Sequence, residues 1–443
     1  MLKKIGWVLL LLVMFVLVAC GDDDITIGDD GTSDNGSDNV SGDKTTVRFS
    51  YWGGDFDQER MEKIKAAFEE QNDTIHVELV NVPDGEYDQH LLTRFASGDV
   101  YDIVQLAENS YYFSARGVLE DLTPWAEEDA NFDLDDFYEV GIEGYTHNDR
   151  LYGLPLRLGT VMMFYNKDLL DQQGLAYPDE HSTWEEIIEM AEAITNPAEG
   201  TFGMNPLGGW WASTSQFTRS HGVRMLSEDF TEFQLDSPAG IEVIEKMQYL
   251  VNDLNVAPNT SQIPEGIDLW TSGRQGFLID GPWHILSSRA NIMDFEWDMT
   301  SAPTMTGVAD TAPTFSNAFH IAEASANKDA AWEVIKFWTG TEAQEILASE
   351  HAETPSRRSV AESDAYLAIG DIGPENFAST LAAVEGAFPP EASLMWSEIN
   401  EEVQNRLSRI VNLEEPVDAE MEALRRDVEP ILEEQARLLE SFQ

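Results

Sequence analysis

The stretch Val47-Arg48-Phe49-Ser50-Tyr51 alternates apolar and polar side chains, and Ile75-His76-Val77-Glu78-Leu79 does the same. A period of two puts alternate side chains on opposite faces of a strand. Between these stretches Met61, Ile64, Ala67 and Phe68 recur at helical spacing. A second helical stripe, Leu91, Leu92 and Phe95, ends at Gly98, a residue suited to the left-handed turn that stops a helix. Residues 102–106 then read as a third strand. Strands alternating with helices predict an α/β sheet.

The same alternation resumes near Tyr152. Residues 161–165 read as a strand. Thr183 and Glu186 form a capping box ahead of Trp184, Ile187, Ile188, Ala191 and Ile194, the inner face of an amphipathic helix. Residues 276–280 are a short apolar strand halted by Gly281-Pro282. Ala331, Val334, Ile335 and Trp338 mark another helix, and Thr341 with Gln344 is read as the cap of the next. Val417, Met421, Leu424, Val428 and Ile431 form a long stripe that Pro430 is expected to kink. No repeat of solenoid length is present.

The ends and totals bound the compartment and the partners. Lys3 and Lys4 precede an apolar run over residues 5–19, which is short for a spanning helix and suits a secretory signal peptide, residues 1–19. Leu17-Val18-Ala19-Cys20 resembles a bacterial lipobox, which implies cleavage before Cys20 and lipid attachment there. Residues 21–46 are dominated by Asp, Gly, Ser, Thr and Asn, with almost nothing to bury, so residues 20–46 are read as a lipidated cysteine and a disordered acidic tether of roughly 85 Å contour at most. The tether has no calcium-loop spacing. Cys20 is the single cysteine, so the fold relies on its apolar core. The roughly 400 remaining residues exceed one ordinary core and predict two domains. With 26 Lys+Arg against 82 Asp+Glu the net charge is −56. Such a chain repels nucleic acid and anionic lipid headgroups, so neither is an expected partner.

The sequence contains no G-x-S-x-G, H-E-x-x-H, P-loop or Rossmann fingerprint. Its eight histidines lack metal-ligand spacing, and no metal, cofactor or catalytic residue is expected. A glycosidase pair among so many carboxylates stays open on counting alone. Aromatic residues do fall beside turns: Trp52 before Gly53-Gly54, Trp210-Trp211 after Gly208-Gly209, Trp283 after Gly281-Pro282, and Trp396 at the start of a helical segment. The ends of elements are where an α/β sheet opens its ligand crevice. Indole faces suit the apolar faces of sugar rings, although each tryptophan could equally belong to the core.

Four stretches carry a family resemblance. The first is Ser97-Gly98-Asp99-Val100-Tyr101-Asp102-Ile103-Val104 with Gly117-Val118-Leu119-Glu120-Asp121-Leu122. The second is Tyr152-Gly153-Leu154-Pro155, then Phe164-Tyr165-Asn166-Lys167-Asp168-Leu169-Leu170, then Ser182-Thr183-Trp184-Glu185-Glu186. The others are Asp280-Gly281-Pro282-Trp283, and Asn327-Lys328-Asp329-Ala330-Ala331-Trp332 leading into Lys336-Phe337-Trp338. In this order the chain resembles the extracellular solute-binding proteins of ABC sugar importers, the group that includes the maltose-binding proteins.

The resemblance implies a two-lobed, type II periplasmic-binding-protein-like α/β fold with a hinge and an inter-lobe ligand cleft. Lobe one would hold residues 47–155 and 304–352, and lobe two residues 156–303 and 353–443. It implies a monomer that binds a mono- or oligosaccharide and hands it to the importer's membrane subunits. The protein would sit on the outer face of the membrane, in the periplasm if there is an outer membrane. Trp283 and Trp396 match sugar-stacking positions, Trp210 or Trp211 matches an aromatic position, and Glu108, Asn109, Gly53 and Asp55 match polar contact loops beside Trp52. Asn317 falls in Ser316-Asn317-Ala318, where the family often has a glycine pair that this chain lacks. Arg157 and Arg358 are expected in surface salt bridges. Two other classes remain: a secreted carbohydrate-active enzyme, and a surface sensor or adhesin of the same fold.

Overall fold

A computed structural model describes residues 44–305, 312–370 and 373–441. The signal peptide, Cys20 and nearly all of the expected tether lie outside the described residues. Order is expected from Val47, but the first strand, β1, already spans Thr45–Tyr51.

The strands that follow are β2 (Ile75–Asn81), β3 (Ile103–Leu106), the hairpin β4 (Thr146–His147) and β5 (Arg150–Leu151), and β6 (Leu154–Thr160). After them come β7 (Met162–Asn166), β8 (Phe202–Met204), β9 (Gln275–Asp280), β10 (Trp297–Ser301), β11 (Thr314–Ile321) and β12 (Thr354–Pro355). They form two principal sheets. One has the order β12-β6-β11-β3-β1-β2, the other β10-β7-β9-β8. In the first sheet β1 runs parallel to β2 and β3, while β11 is antiparallel to β3 and β6. In the second, β7 is antiparallel to β9 and β10, and β8 is parallel to β9. Between β6 and β7 stands only Val161, so the chain leaves one sheet and enters the other within a single residue. β6 runs on past the expected boundary at residue 155.

Each sheet has its own core. Phe49 of β1 meets Phe319 edge-on at 5.0 Å and lies 5.7 Å from Trp338. All three are buried, as are Ile64, Val334 and Ile335 of the packing helices. On the second sheet Trp184 meets Phe217 edge-on at 4.7 Å, and the C-terminal stripe Val417, Met421, Leu424 and Val428 packs into the same cluster. Fully burying one such side chain stabilises by about 1.5–3 kcal/mol, and a third cluster, with Phe164, Leu278 and Met299 beside Ala348 and Ala352, joins the two layers.

Local chemistry explains most of the elements. The Thr183 hydroxyl accepts from the Glu186 backbone N–H at 3.3 Å, and the Glu186 carboxylate accepts from the Thr183 N–H at 2.9 Å, the expected box. Gly98 closes Asp84–Ser97 at φ 74°. The cap expected at Thr341 and Gln344 is not formed. Gly340 stands at the N-cap of Thr341–Ala348. Gln344 is buried and turned to tertiary partners instead, donating to Ser356 Oγ at 2.7 Å and accepting from the Arg357 N–H at 2.8 Å. A buried amide with its bonds satisfied by a neighbouring segment outweighs a local cap. The last helix, Val417–Ser441, continues through Pro430.

Candidate functional site

A cavity of about 560 Å³ opens where the two sheets and the helix Trp396–Leu413 meet. Its apolar wall is a group of rings. Trp210 meets Trp283 at 5.1 Å and Phe315 at 5.2 Å, both near edge-on, and Trp283 lies 5.4 Å from Phe315. Behind them Trp211 meets Trp396 edge-on at 5.1 Å. On the opposite side Trp52 packs at 4.8 Å on Tyr87, whose buried hydroxyl is fixed by Ser50 and by the Gln105 N–H.

Two glycines explain how the rings lie so close to backbone. A Cβ on Gly281 would stand 2.2 Å from the Trp283 ring, and one on Gly159 would stand 2.3 Å from the Phe315 ring. The turn after β9 therefore needs glycine so that Trp283 can fold back over it. The register of β11 on β6 shifts between Asn317 and Ala318. Such a bulge re-aims side chains, and here Ser316 and Asn317 both line the cavity. With its amide oxygen turned inward, Asn317 accepts from Arg157 Nη2 at 3.0 Å and from Gln105 Nε2 at 3.1 Å.

The expected pairing of Arg157 at the surface is corrected. Its side chain is only 15% exposed and its guanidinium bonds Asp57 at 2.7 Å and Glu353 at 2.6 Å. Arg60 completes the cluster, 2.9 Å from Asp57 and 2.5 Å from Glu350. This charged group lies beneath the cavity floor and braces Asn317 from below. Arg358 does pair at the surface, with Glu385 at 3.4 Å.

The polar wall is acidic. Asn109 donates to Asp88 at 2.7 Å. Withdrawal from water pushes the Glu108 carboxyl up to about 7, and the neighbouring charge of Asp88 adds to that. Asp88 opens to the cavity, yet enough protein surrounds it to raise its carboxyl too, against the hydrogen bond from Asn109, with Asp84 and Glu398 adding like charge. Among the described residues no group of His, Cys, Asp and Glu is placed to hold a metal ion, and no helix is long and apolar enough to cross a membrane.

Of the residues expected at the site, Trp52, Glu108, Asn109, Trp210, Trp211, Trp283, Asn317 and Trp396 line this one cavity. Gly53 and Asp55 are outside its lining. The Gly53 carbonyl accepts from Asn81, and Asp55 is an exposed residue in the first turn of Asp55–Gln71. Reading the sequence missed Asp84, Tyr87, Asp88, Phe315, Ser316, Ser397, Asn400 and Glu401, which also line it. A signal for some of them was there. Asp84 and Asp88, Trp396 and Asn400, and Ser397 and Glu401 are spaced i, i+4, which puts each pair on one helix face.

Two sheets with separate cores and a ring-walled crevice between them define a two-lobed binding protein of α/β class. Residues 53–345 match the model of the bacterial extracellular solute-binding proteins, and the chain belongs to that family. A mannitol-binding protein of Pseudomonas aeruginosa is 26% identical over 332 residues, 70% of this chain and 74% of that protein. An arabinooligosaccharide-binding protein of Bacillus subtilis is 26% identical over 227 residues, 48% of this chain and 49% of its own length. The fold is also that of an ABC substrate-binding protein from Listeria monocytogenes solved in complex with cycloalternan, at a TM-score of 0.80 and 22% identity, covering 88% of this chain and 99% of that one.

Proposed function

We propose that this protein captures a mono- or oligosaccharide in the ring-walled cavity and delivers it to the membrane subunits of an ABC importer. The observation that supports this reading most is the grouping of Trp210, Trp283 and Phe315 on one wall, opposite the polar residues Glu108, Asn109 and Asn317. Flat apolar faces take the C–H face of a sugar ring, and a few placed polar groups orient its hydroxyls. The named relatives that bind mannitol and arabinooligosaccharides favour the same solute class. The lobes would divide near residues 160, 301 and 355, at the ends of β6, β10 and β12, and would close on the solute by hinge motion. The protein would act as a monomer and without catalysis, anchored by lipid on Cys20 at the outer face of the membrane.

Titration calorimetry against a panel of mono- and oligosaccharides tests the solute. A sugar that binds with one-to-one stoichiometry is the expected result. Binding of a different solute class, with no sugar bound, overturns it. Labelling with a fatty-acid analogue tests the anchor, and label retained in Cys20→Ala would refute it.

A further inference from the structure

Several carboxylates of this protein are paired with cations, while the buried Asp102 and Asp298 are met by neutral N–H and O–H donors, among them Ser325, Asn327, Met299 and Asn376. Asp57 and Glu353 face Arg60 and Arg157, Glu391 faces Arg219 and Arg224, and Asp129 faces Lys336. Glu108 departs from both arrangements. It lines the cavity half-buried, yet among the described residues no ion pair reaches it, and the hydrogen bond that steadies its carboxylate comes from its own backbone. Among the described residues Asp88 has a single partner, the neutral amide of Asn109. Among the described residues no Lys, Arg or His lines the cavity, although Asp84, Asp88, Glu108 and Glu401 do.

These groups do not sit on one surface. Asp84 and Asp88 belong to the helix Asp84–Ser97, Glu108 to the loop after β3, and Glu401 to the helix Trp396–Leu413. Asp88 feels the charges of both Asp84 and Glu398, so like charges from the two sides meet across the opening. Closing the lobes on a neutral solute would bring these charges together in a drier space, which costs free energy. The cavity is also rich in acceptors. Asn400 lines it with a buried side-chain oxygen that has no hydrogen-bond partner among the described residues. A wall of aromatic faces beside unneutralised carboxylates is the arrangement that receives a cation. A bare metal ion does not suit it, because no group of three metal-ligating side chains is suitably placed among the described residues.

We infer that the solute carries positive charge and is an amino sugar or a short oligomer of amino sugars, with its ammonium group against Asp88 and Glu108 and its ring face against Trp283. This rests on the proposed sugar capture and narrows it. An ammonium brings three donors to an acceptor-rich wall and cancels the charge that opposes closure.

The test is calorimetric titration of the purified protein with the disaccharide of glucosamine, its N-acetylated counterpart, a glucose disaccharide and choline. The free-amine disaccharide is expected to bind at least tenfold more tightly than the two neutral ones. Asp88→Asn and Glu108→Gln should each reduce that affinity at least tenfold, with melting curves checking that both variants fold and Glu401→Gln serving as a third. Equal or tighter binding of a neutral disaccharide overturns the inference and leaves sugar capture standing. No binding of the free-amine disaccharide overturns the inference alone, and binding of choline with none of the sugars overturns both.

Discussion

Trp283 and Trp396 line the same cavity but are held differently, and this sets their roles apart. Trp283 is 40% exposed and rests on Gly281, whereas Trp396 is 5% exposed and packed edge-on against Trp211. Trp283→Ala should weaken solute binding by about 1–3 kcal/mol with little change in melting temperature. Trp396→Ala removes a core ring and should destabilise the fold by about 3–5 kcal/mol. Calorimetry and thermal melts on both variants check this, and equal stability loss in the two would contradict it. Glu108 adds a pH signature. Its ordinary value is 4.5 and its folded value about 7, so between these the folded protein keeps a proton that the unfolded chain releases. Stability from this group is therefore full below the lower value and lost as pH rises through the higher one. Glu108→Gln, which cannot ionise, should stabilise the protein at about pH 8 by about 2 kcal/mol and change little near pH 4. A gain of equal size at both pH values would argue against it.

At the level of elements, β6 carries more than a strand's share. Arg157 on it joins Asp57, Glu353 and Asn317, and so ties the helix Asp55–Gln71 and β12 to the cavity floor. Arg157→Ala leaves two withdrawn carboxylates facing only Arg60, and should cost about 3 kcal/mol in denaturant unfolding. A loss below about 0.5 kcal/mol, the scale of a surface pair, would show the cluster to be solvated. The elements also show how far the sequence can be read. Strand and helix periods place β1, β2 and the helix starting at Trp184, because each buries one face and keeps the pattern its packing requires. Trp52, Trp283 and Trp396 are legible because they stand beside turns. Phe315 is not, because inside β11 it looks like any apolar strand residue, and only the space above Gly159 on another strand makes it part of the wall. Asp88 and Glu401 are hidden among 82 acidic residues until tertiary structure sets them around one opening. Arg157 misleads for a related reason: partners 100 and 196 residues away do not appear in any local pattern.

Over the whole molecule, charge sets the working conditions. A net charge of −56 repels itself in the compact state, and salt screens that repulsion. The melting temperature should rise between low and molar NaCl, and a fall would contradict this. The chain passes between the two sheets at Val161 and again between β10 and β11, and Ala348 and Ala352 share an apolar cluster with Met162, Phe164, Leu278 and Met299 of the second sheet. Function depends on solute entering the crevice that the two sheets share. A crystal structure of the protein with its tightest-binding saccharide tests that most directly. The sugar should lie with a ring face on Trp283 and its polar groups toward Glu108, Asn109 and Asn317. A saccharide bound away from that wall, with the crevice holding only water, would contradict it.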